Sequence, residues 1–137
     1  MKTSARNELN GVVTGIKSGG VMSEVMVQVS PNVTIVSTIT NDSKESLALK
    51  EGSGVLALIK ASMVILSKQK LASSARNNIE AKVLDVIKGA VNSEVKLQLE
   101  QKILYSVVTN EAIDDLEIKK NDSLYVMFKA SSVILAV

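Results

Sequence analysis

The stretch IVSTITNDSKESL, residues 35–47, joins a β-type segment directly to a short helical one. Residues 35–40 are rich in β-branched side chains, which favour a strand. Thr40 stands where a helix N-cap is expected, so residues 41–47 are predicted to form one short helix.

The same arrangement occurs again in LYSVVTNEAIDDL, residues 104–116, where Thr109 takes the place of the N-cap. Three further segments also return, the first two 70 positions later and the third 69 positions later: residues 4–7 as 74–77, residues 18–25 as 88–95, and residues 60–66 as 129–135. Such internal similarity is typical of a duplicated domain. We therefore predict one domain over residues 1–68 and a second over residues 69–137.

Each repeat carries further strand patterns on either side of this stretch. Residues 25–29 and 95–99 alternate or nearly alternate, and residues 55–59 and 124–128 are continuous apolar runs. Turn-forming residues separate the runs. About five short strands with one helix between the third and fourth are typical of a small oligonucleotide/oligosaccharide-binding (OB) barrel. The predicted fold is all-β, with two tandem OB-like five-stranded barrels and one short helix in each.

The composition excludes several classes of function. The chain of 137 residues has no cysteine and no histidine, and its net charge is +2. It therefore has no disulfide, no thiolate ligand, and neither the commonest metal ligand nor the commonest general base. We expect neither an enzyme nor a direct cation site nor a covalent cofactor. The small charge also argues against a polyanion as partner.

The apolar residues are numerous but dispersed. They make up 46% of the chain, yet no apolar run approaches the roughly 18 residues that a membrane helix needs. Residues 1–7 contain no apolar stretch that could serve as a signal peptide. We therefore expect a cytoplasmic protein with no membrane partner. The surplus apolar surface predicts contacts between the repeats or between subunits of a homo-oligomer.

Four segments, each found twice, carry a family resemblance. In the first repeat they are residues 3–7, 20–25, 39–47 and 58–62. In order and spacing they resemble the molbindin domain, a small barrel that binds molybdate and tungstate, and the tandem covers essentially the whole chain. The resemblance implies a cytoplasmic oxyanion-binding protein that assembles around a threefold axis, as a trimer, with its ligands held between subunits.

The chemistry of the repeated segments agrees with this resemblance. A tetrahedral dianion needs several converging hydrogen-bond donors and one or two positive charges. Arginine, lysine, hydroxyl groups and backbone amides beside small residues supply such donors, and a helix start adds free N–H groups. The residues so indicated as ligands of molybdate or tungstate are Ser4, Ala5, Arg6, Thr40, Ser43, Lys60, Ala61 and Ser62 in the first repeat, and Ser74, Ala75, Arg76, Thr109, Lys129, Ala130 and Ser131 in the second.

The two repeats differ at one expected ligand position. Ala112 stands where the first repeat has Ser43, so one hydroxyl is missing and a site that uses this helix start is expected to bind more weakly. The resemblance also implies a second class of site near the threefold axis. Its candidate residues here are Ser23, Asn92 and Ser93.

Each site assignment has a structural alternative. Arg6 could pair with Glu8 at the surface, and Lys60 could be a solvated lysine in a turn. Glu24 and Glu94 are interpreted as structural acceptors, because a carboxylate repels an oxyanion. The apolar runs 64–66 and 133–135 are assigned to the core or to a subunit interface.

The predicted function is reversible binding of molybdate or tungstate for storage or homeostasis. One alternative is a ligand-sensing module that acts with a separate regulator or transporter chain. The other is a barrel that binds single-stranded nucleic acid, which requires stacking aromatics along a positive groove. The aromatic residues Tyr105, Tyr125 and Phe128 all lie in the second repeat, which argues against that alternative.

Overall fold

The structure is a computed structural model, and it describes residues 2–137. The first repeat forms β1 (Arg6–Ser18), β2 (Met22–Ser30), β3 (Val33–Thr40), α1 (Asn41–Ser46), β4 (Gly54–Lys60), a 3₁₀ turn (Ala61–Met63) and β5 (Ile65–Ser67). The second repeat forms β6 (Asn77–Lys88), β7 (Asn92–Leu99), β8 (Lys102–Thr109), α2 (Asn110–Asp115), β9 (Ser123–Phe128), a 3₁₀ turn (Ala130–Ser132) and β10 (Val133–Ala136). Neither α-helix is long and apolar enough to cross a membrane.

The strands form two five-stranded antiparallel sheets that exchange their last strand. The first sheet has the order β10-β4-β1-β2-β3, and the second has the order β5-β9-β6-β7-β8. Val133 of β10 lies opposite Ile59, and Ile65 of β5 lies opposite Met127. Each barrel therefore combines residues from both sides of the predicted boundary at residue 68.

Each sheet curls until its two edges meet. The Ser37 hydroxyl on β3 donates to the carbonyl of Val133 at 2.7 Å, and the Ser106 hydroxyl on β8 donates to the carbonyl of Val64 at 2.7 Å. Both serines are fully buried, where a polar group needs a partner. These bonds fasten the exchanged strands to the opposite edges, so the exchange is part of barrel closure.

The local predictions agree with this architecture. The all-β fold with two five-stranded units is confirmed, and Thr40 and Thr109 cap the helices by accepting hydrogen bonds from the backbone N–H of residues 43 and 112. Because the third repeated segment returns after 69 positions and not 70, the first repeat contains one extra residue, and an irregularity between Gln28 and Ser30, where β2 pairs with β3, accommodates it. The second repeat pairs regularly at the same place.

The exchanged segments account for the apolar runs 64–66 and 133–135. Val64, Leu66, Val133 and Leu135 are buried, and they belong to one cluster of core residues drawn from both repeats. The intervening Ile65 and Ile134 are 58% and 63% exposed. In each run the first and third residues therefore pack in the core, and the isoleucine between them lies on the surface.

Two buried asparagines cross-link the repeats. The Asn7 side chain accepts from the backbone N–H of Tyr105 at 2.7 Å and donates to its carbonyl at 2.8 Å. Asn77 makes the same pair of bonds with Val36, both at 2.8 Å. Each asparagine thus forms, with the backbone of an edge strand in the opposite sheet, the pair of hydrogen bonds that a neighbouring strand would form.

Candidate functional site

The residues just before β1 are held in place by a carboxylate on that strand. Glu8 accepts hydrogen bonds from the backbone N–H of Lys2 at 2.9 Å and of Thr3 at 2.6 Å. These bonds, the Lys2 contact first, hold the pKa of the Glu8 carboxyl below its ordinary value. The Thr3 hydroxyl in turn accepts from the N–H of Ala5 at 3.2 Å. The opening motif is therefore anchored as it enters β1, and Glu8 is not the partner of Arg6.

The opening and closing segments of the first repeat meet at one place. Arg6 and Lys60 lie opposite each other where β1 pairs with β4, and the N–H of Ala61 donates to the carbonyl of Ala5 at 3.2 Å. A cavity of about 510 Å³ lies beside them. Its lining residues are Thr3, Ser4, Ala5, Leu58, Lys60, Met63, Ser131, Ser132 and Ile134.

This cavity brings together four of the predicted ligand residues. Ser4, Ala5 and Lys60 come from the first repeat, and Ser131 comes from the second because β10 is exchanged. The lining supplies hydroxyl groups and one ammonium group and contains no carboxylate. This is a suitable environment for a small anion.

The helix starts lie apart from this cavity. The N–H of Ser43 donates to the Thr40 hydroxyl at 3.1 Å, and the Thr40 hydroxyl donates to Ser43 Oγ at 2.8 Å. Neither residue lines the cavity beside Lys60. In a single chain the helix start of the first repeat is therefore separate from the predicted ligand residues that line this cavity.

The corresponding helix start of the second repeat borders another cavity. Thr109 and Ala112 line a space of about 280 Å³ together with Ser62 from the first repeat. The N–H of Ala112 donates to the Thr109 hydroxyl at 3.1 Å, as in the first repeat. The cap geometry is thus retained, and the missing hydroxyl is the difference.

The opening motif of the second repeat is largely exposed. Ser74, Arg76 and Lys129 are exposed and Ala75 is half-buried, and the N–H of Ala75 donates to the Ser73 hydroxyl at 3.2 Å. Ala61 and Ala130, in contrast, are buried in the two 3₁₀ turns. The charged and hydroxyl donors therefore face outward, while the alanines pack inward.

Both arginines bind a carboxylate of the opposite repeat. The Arg6 guanidinium donates to Glu94 at 2.9 and 3.1 Å and lies over the Tyr105 ring at 3.7 Å from its centroid. The hydrogen bond that Arg6 donates to Glu94 is the main cause that raises the pKa of Arg6 above its ordinary value. Arg76 pairs with Glu24. Glu24 and Glu94 thus act as structural acceptors, as predicted.

Two of the three candidate residues of the second site class have side-chain partners within the chain. Ser23 and Ser93 are buried, and their hydroxyls bond to the side-chain oxygens of Asn41 and Asn110, the first helical residues. Asn92 is exposed at the start of β7. The two serines connect each helix start to the preceding hairpin. No cluster of three acidic side chains within residues 2–137 is placed to hold a metal ion.

Asn7, Asn77 and Tyr105 connect the two repeats, although their sequence positions did not predict that role. The repeated Ser-Ala-Arg-Asn motif contains both asparagines, and their recurrence was an available indication of a shared role. Tyr105 has no such indication, because the first repeat has Val36 at the equivalent position of its edge strand.

The sequence is similar to one known domain family and to proteins of molybdenum transport and binding. A family model described as a TOBE domain matches residues 3–66 and again residues 73–135. Over 139 residues, the chain is 41% identical to the molybdenum transport protein ModE of Azotobacter vinelandii, covering 100% of this chain and 52% of that protein. Over 139 residues, it is 35% identical to the molybdenum-pterin-binding protein MopA of Rhodobacter capsulatus, covering 99% and 52%. The chain thus spans about half the length of these curated relatives.

A solved structure is similar over the whole chain. It is the cytoplasmic molybdate-binding protein ModG with molybdate bound. The TM-score is 0.95 with 38% sequence identity, and the match covers 100% of this chain and 99% of ModG.

Proposed function

Because the chain belongs to the TOBE domain family, we propose that it binds molybdate reversibly, and tungstate in the same sites, for storage or homeostasis in the cytoplasm. The observation that carries this proposal is the cavity in which Ser4, Ala5, Lys60 and Ser131 meet without a carboxylate. Hydroxyl groups and an ammonium group favour an oxyanion over a cation. The molybdate that ModG binds supports the choice of ligand.

We further propose that other subunits complete the sites in a homotrimer. Thr40 and Ser43 point to this arrangement, because they lie outside the cavity although both belong to the predicted ligand set. Exposed apolar side chains provide surface for such contacts, and Ile65, Ile134, Val21 and Val91 are between 58% and 73% exposed. The proposed units of duplication remain residues 1–68 and 69–137, with their last strands exchanged.

A ligand-sensing module is the second candidate function. The similarity to ModE favours it, because the chain spans 52% of that longer protein. In this case the same oxyanion sites would act together with a separate regulator or transporter chain. Both candidates require oxyanion binding without catalysis, and neither requires nucleic acid or a membrane.

A calorimetric titration tests the shared requirement. Anion-free protein is titrated with sodium molybdate, and the titration is repeated in excess sulfate. Tight binding that survives sulfate is expected, because sulfate is smaller and leaves some donors out of reach. No heat, or complete displacement by sulfate, would contradict the proposal. Light scattering of the same sample measures whether the protein is a trimer.

Adding the missing hydroxyl should strengthen binding at the site that uses the helix start of the second repeat. We expect Ala112→Ser to raise molybdate affinity roughly tenfold or more, since a hydrogen bond to a charged group contributes about 1.5–3 kcal/mol. The reciprocal Ser43→Ala change should weaken binding at the site that uses the helix start of the first repeat by a similar factor. Calorimetry distinguishes the two kinds of site by their affinities. Unchanged affinity in both variants would show that the helix starts do not contact the anion.

A further inference from the structure

Two equivalent positions on the first strands of the barrels carry different side chains. Glu8 on β1 lies opposite Leu58 of β4, and Asn78 on β6 lies opposite Met127 of β9. Glu8 and Asn78 are 70 positions apart, the same offset that relates the opening segments of the repeats. Each side chain therefore occupies the same place in its barrel, beside the segment that leads into the strand.

The Glu8 carboxylate is an acceptor for the segment in front of β1. It accepts from the backbone N–H of Lys2 at 2.9 Å and of Thr3 at 2.6 Å, and the Thr3 hydroxyl accepts from the N–H of Ala5 at 3.2 Å. Thr3, Ser4 and Ala5 line the 510 Å³ cavity, and Glu8 is not among the described residues that line it. The carboxylate therefore holds the rim of the cavity without standing in it.

Asn78 holds the corresponding segment of the second repeat differently. Its Nδ2 donates to the carbonyl of Leu71 at 2.9 Å. Its Oδ1 is buried and accepts no hydrogen bond from residues 2–137, which is unfavourable for a polar atom. The N–H groups of Ala72 and Ser73, equivalent to those that Glu8 accepts, are thus not bound by Asn78. The strand contacts this segment through one carbonyl and not through two N–H groups.

The two opening segments also lie differently over the neighbouring strand. The Ser73 hydroxyl lies 3.7 Å from the sulfur of Met127, and Met127 is only 8% exposed. Leu58, at the equivalent place in the first barrel, is half-buried and lines the 510 Å³ cavity. The opening segment of the second repeat thus covers the apolar side chain that the first repeat leaves open to the cavity.

We propose that Glu8 is a positioning residue for the oxyanion cavity, which holds the Ser4 hydroxyl at the rim before the anion binds. This inference rests on the proposed function. A segment that is already ordered loses less conformational entropy on binding than a free one, so an ordered rim raises the affinity. Glu8 acts through Thr3 and Ser4 and does not touch the ligand. Asn78 gives the second repeat no such preordered rim.

Replacement of Glu8 tests this role, because charge and order predict opposite results. If charge alone matters, removal of a carboxylate beside an anion site raises the affinity. If Glu8 orders the rim, Glu8→Ala lowers the molybdate affinity at this cavity, and we expect a loss of roughly tenfold that appears in the entropy of binding. Glu8→Gln keeps one acceptor oxygen, so its affinity should lie between those of Glu8→Ala and the wild type. Unchanged or higher affinity in Glu8→Ala would overturn the proposal.

Glu51→Ala is the matched control for net charge. Glu51 is an exposed carboxylate in the loop between α1 and β4, and its removal changes the net charge by the same amount as Glu8→Ala. Since salt screens exposed charges over about 10 Å, the affinity of Glu51→Ala should stay within about twofold of the wild type at 0.1 M salt. An equal loss in Glu51→Ala and Glu8→Ala would contradict a local role for Glu8.

Amide exchange in anion-free protein provides a readout that does not depend on binding. By NMR, the N–H groups of Lys2 and Thr3 should exchange with solvent roughly fivefold faster in Glu8→Ala than in the wild type. Asn78→Glu should slow the exchange of the Ala72 and Ser73 N–H groups by a similar factor, because it supplies the acceptor that they lack at this position. Unchanged exchange in both variants would show that this position does not order the opening segments.

The two measurements separate the possible failures. If the wild type binds no molybdate, the proposed function fails and the positioning role fails with it. If molybdate binds, and Glu8→Ala loses its amide protection without losing affinity, only the positioning role is overturned. Thermal unfolding of each variant checks that the fold is retained, and Glu8→Gln serves if Glu8→Ala does not fold.

Discussion

Replacement of Asn7 by alanine should lower the free energy of unfolding by about 2–4 kcal/mol, because a buried donor and a buried acceptor lose their partner together. Asn7 is 1% exposed and bonds to both backbone groups of Tyr105 on the edge strand of the other sheet. Water cannot replace the amide at a site this closed without a cost. Urea unfolding followed by circular dichroism measures the change.

An exposed asparagine on the same strand provides the matched control. Asn10 also belongs to β1, and Asn10→Ala should change stability by less than about 0.5 kcal/mol. Asn77→Ala should match Asn7→Ala, because Asn77 makes the equivalent bonds to Val36. If Asn7→Ala lowered the free energy of unfolding as little as Asn10→Ala, the asparagine cross-links would contribute little to holding the repeats together.

Local features of the fold could be predicted because they depend on neighbouring residues. β-Branched runs, the capping threonines and the turn residues act over a few positions, so three strands of each repeat and both helices were placed correctly, whereas the long strands β1 and β6 were not predicted. The strand exchange depends on a choice between two equivalent partners. The segments at 64–66 and 133–135 have the same sequence, Val-Ile-Leu, and the same alternation of buried and exposed side chains. Sequence repetition therefore left the partner of β5 and β10 undetermined.

The candidate site shows the same division between local and long-range features. The donor residues were visible as repeated motifs, and the cavity assembles four of them. The partners of Arg6 and Arg76 were not visible, because each guanidinium bonds a carboxylate in the other repeat, 88 and 52 positions away. Repetition within one chain thus marks residues under shared constraint without separating ligand contacts from contacts between repeats.

Lys60→Gln should lower molybdate affinity at its site roughly 100-fold, the largest effect expected for a single ligand residue. Lys60 supplies the one ammonium group in the lining of the 510 Å³ cavity. Its loss removes a charge-assisted hydrogen bond to a dianion, which contributes up to about 3 kcal/mol, and glutamine is too short and too weakly polar to replace it. Calorimetry measures the affinity and the number of sites that remain.

Lys50→Gln separates this local contact from the effect of net charge. Lys50 is exposed in the loop between α1 and β4 and does not line the cavity, and its replacement changes the net charge by the same amount. Because salt screens exposed charges over about 10 Å, Lys50→Gln should leave affinity within twofold at 0.1 M salt. Equal losses in the two variants would mean that the anion responds to the overall field of the protein and not to the cavity. If Lys60→Gln lowers the affinity and Lys50→Gln does not, Lys60 contacts the oxyanion directly. An equal loss in Lys129→Gln would show the same for the equivalent lysine of the second repeat.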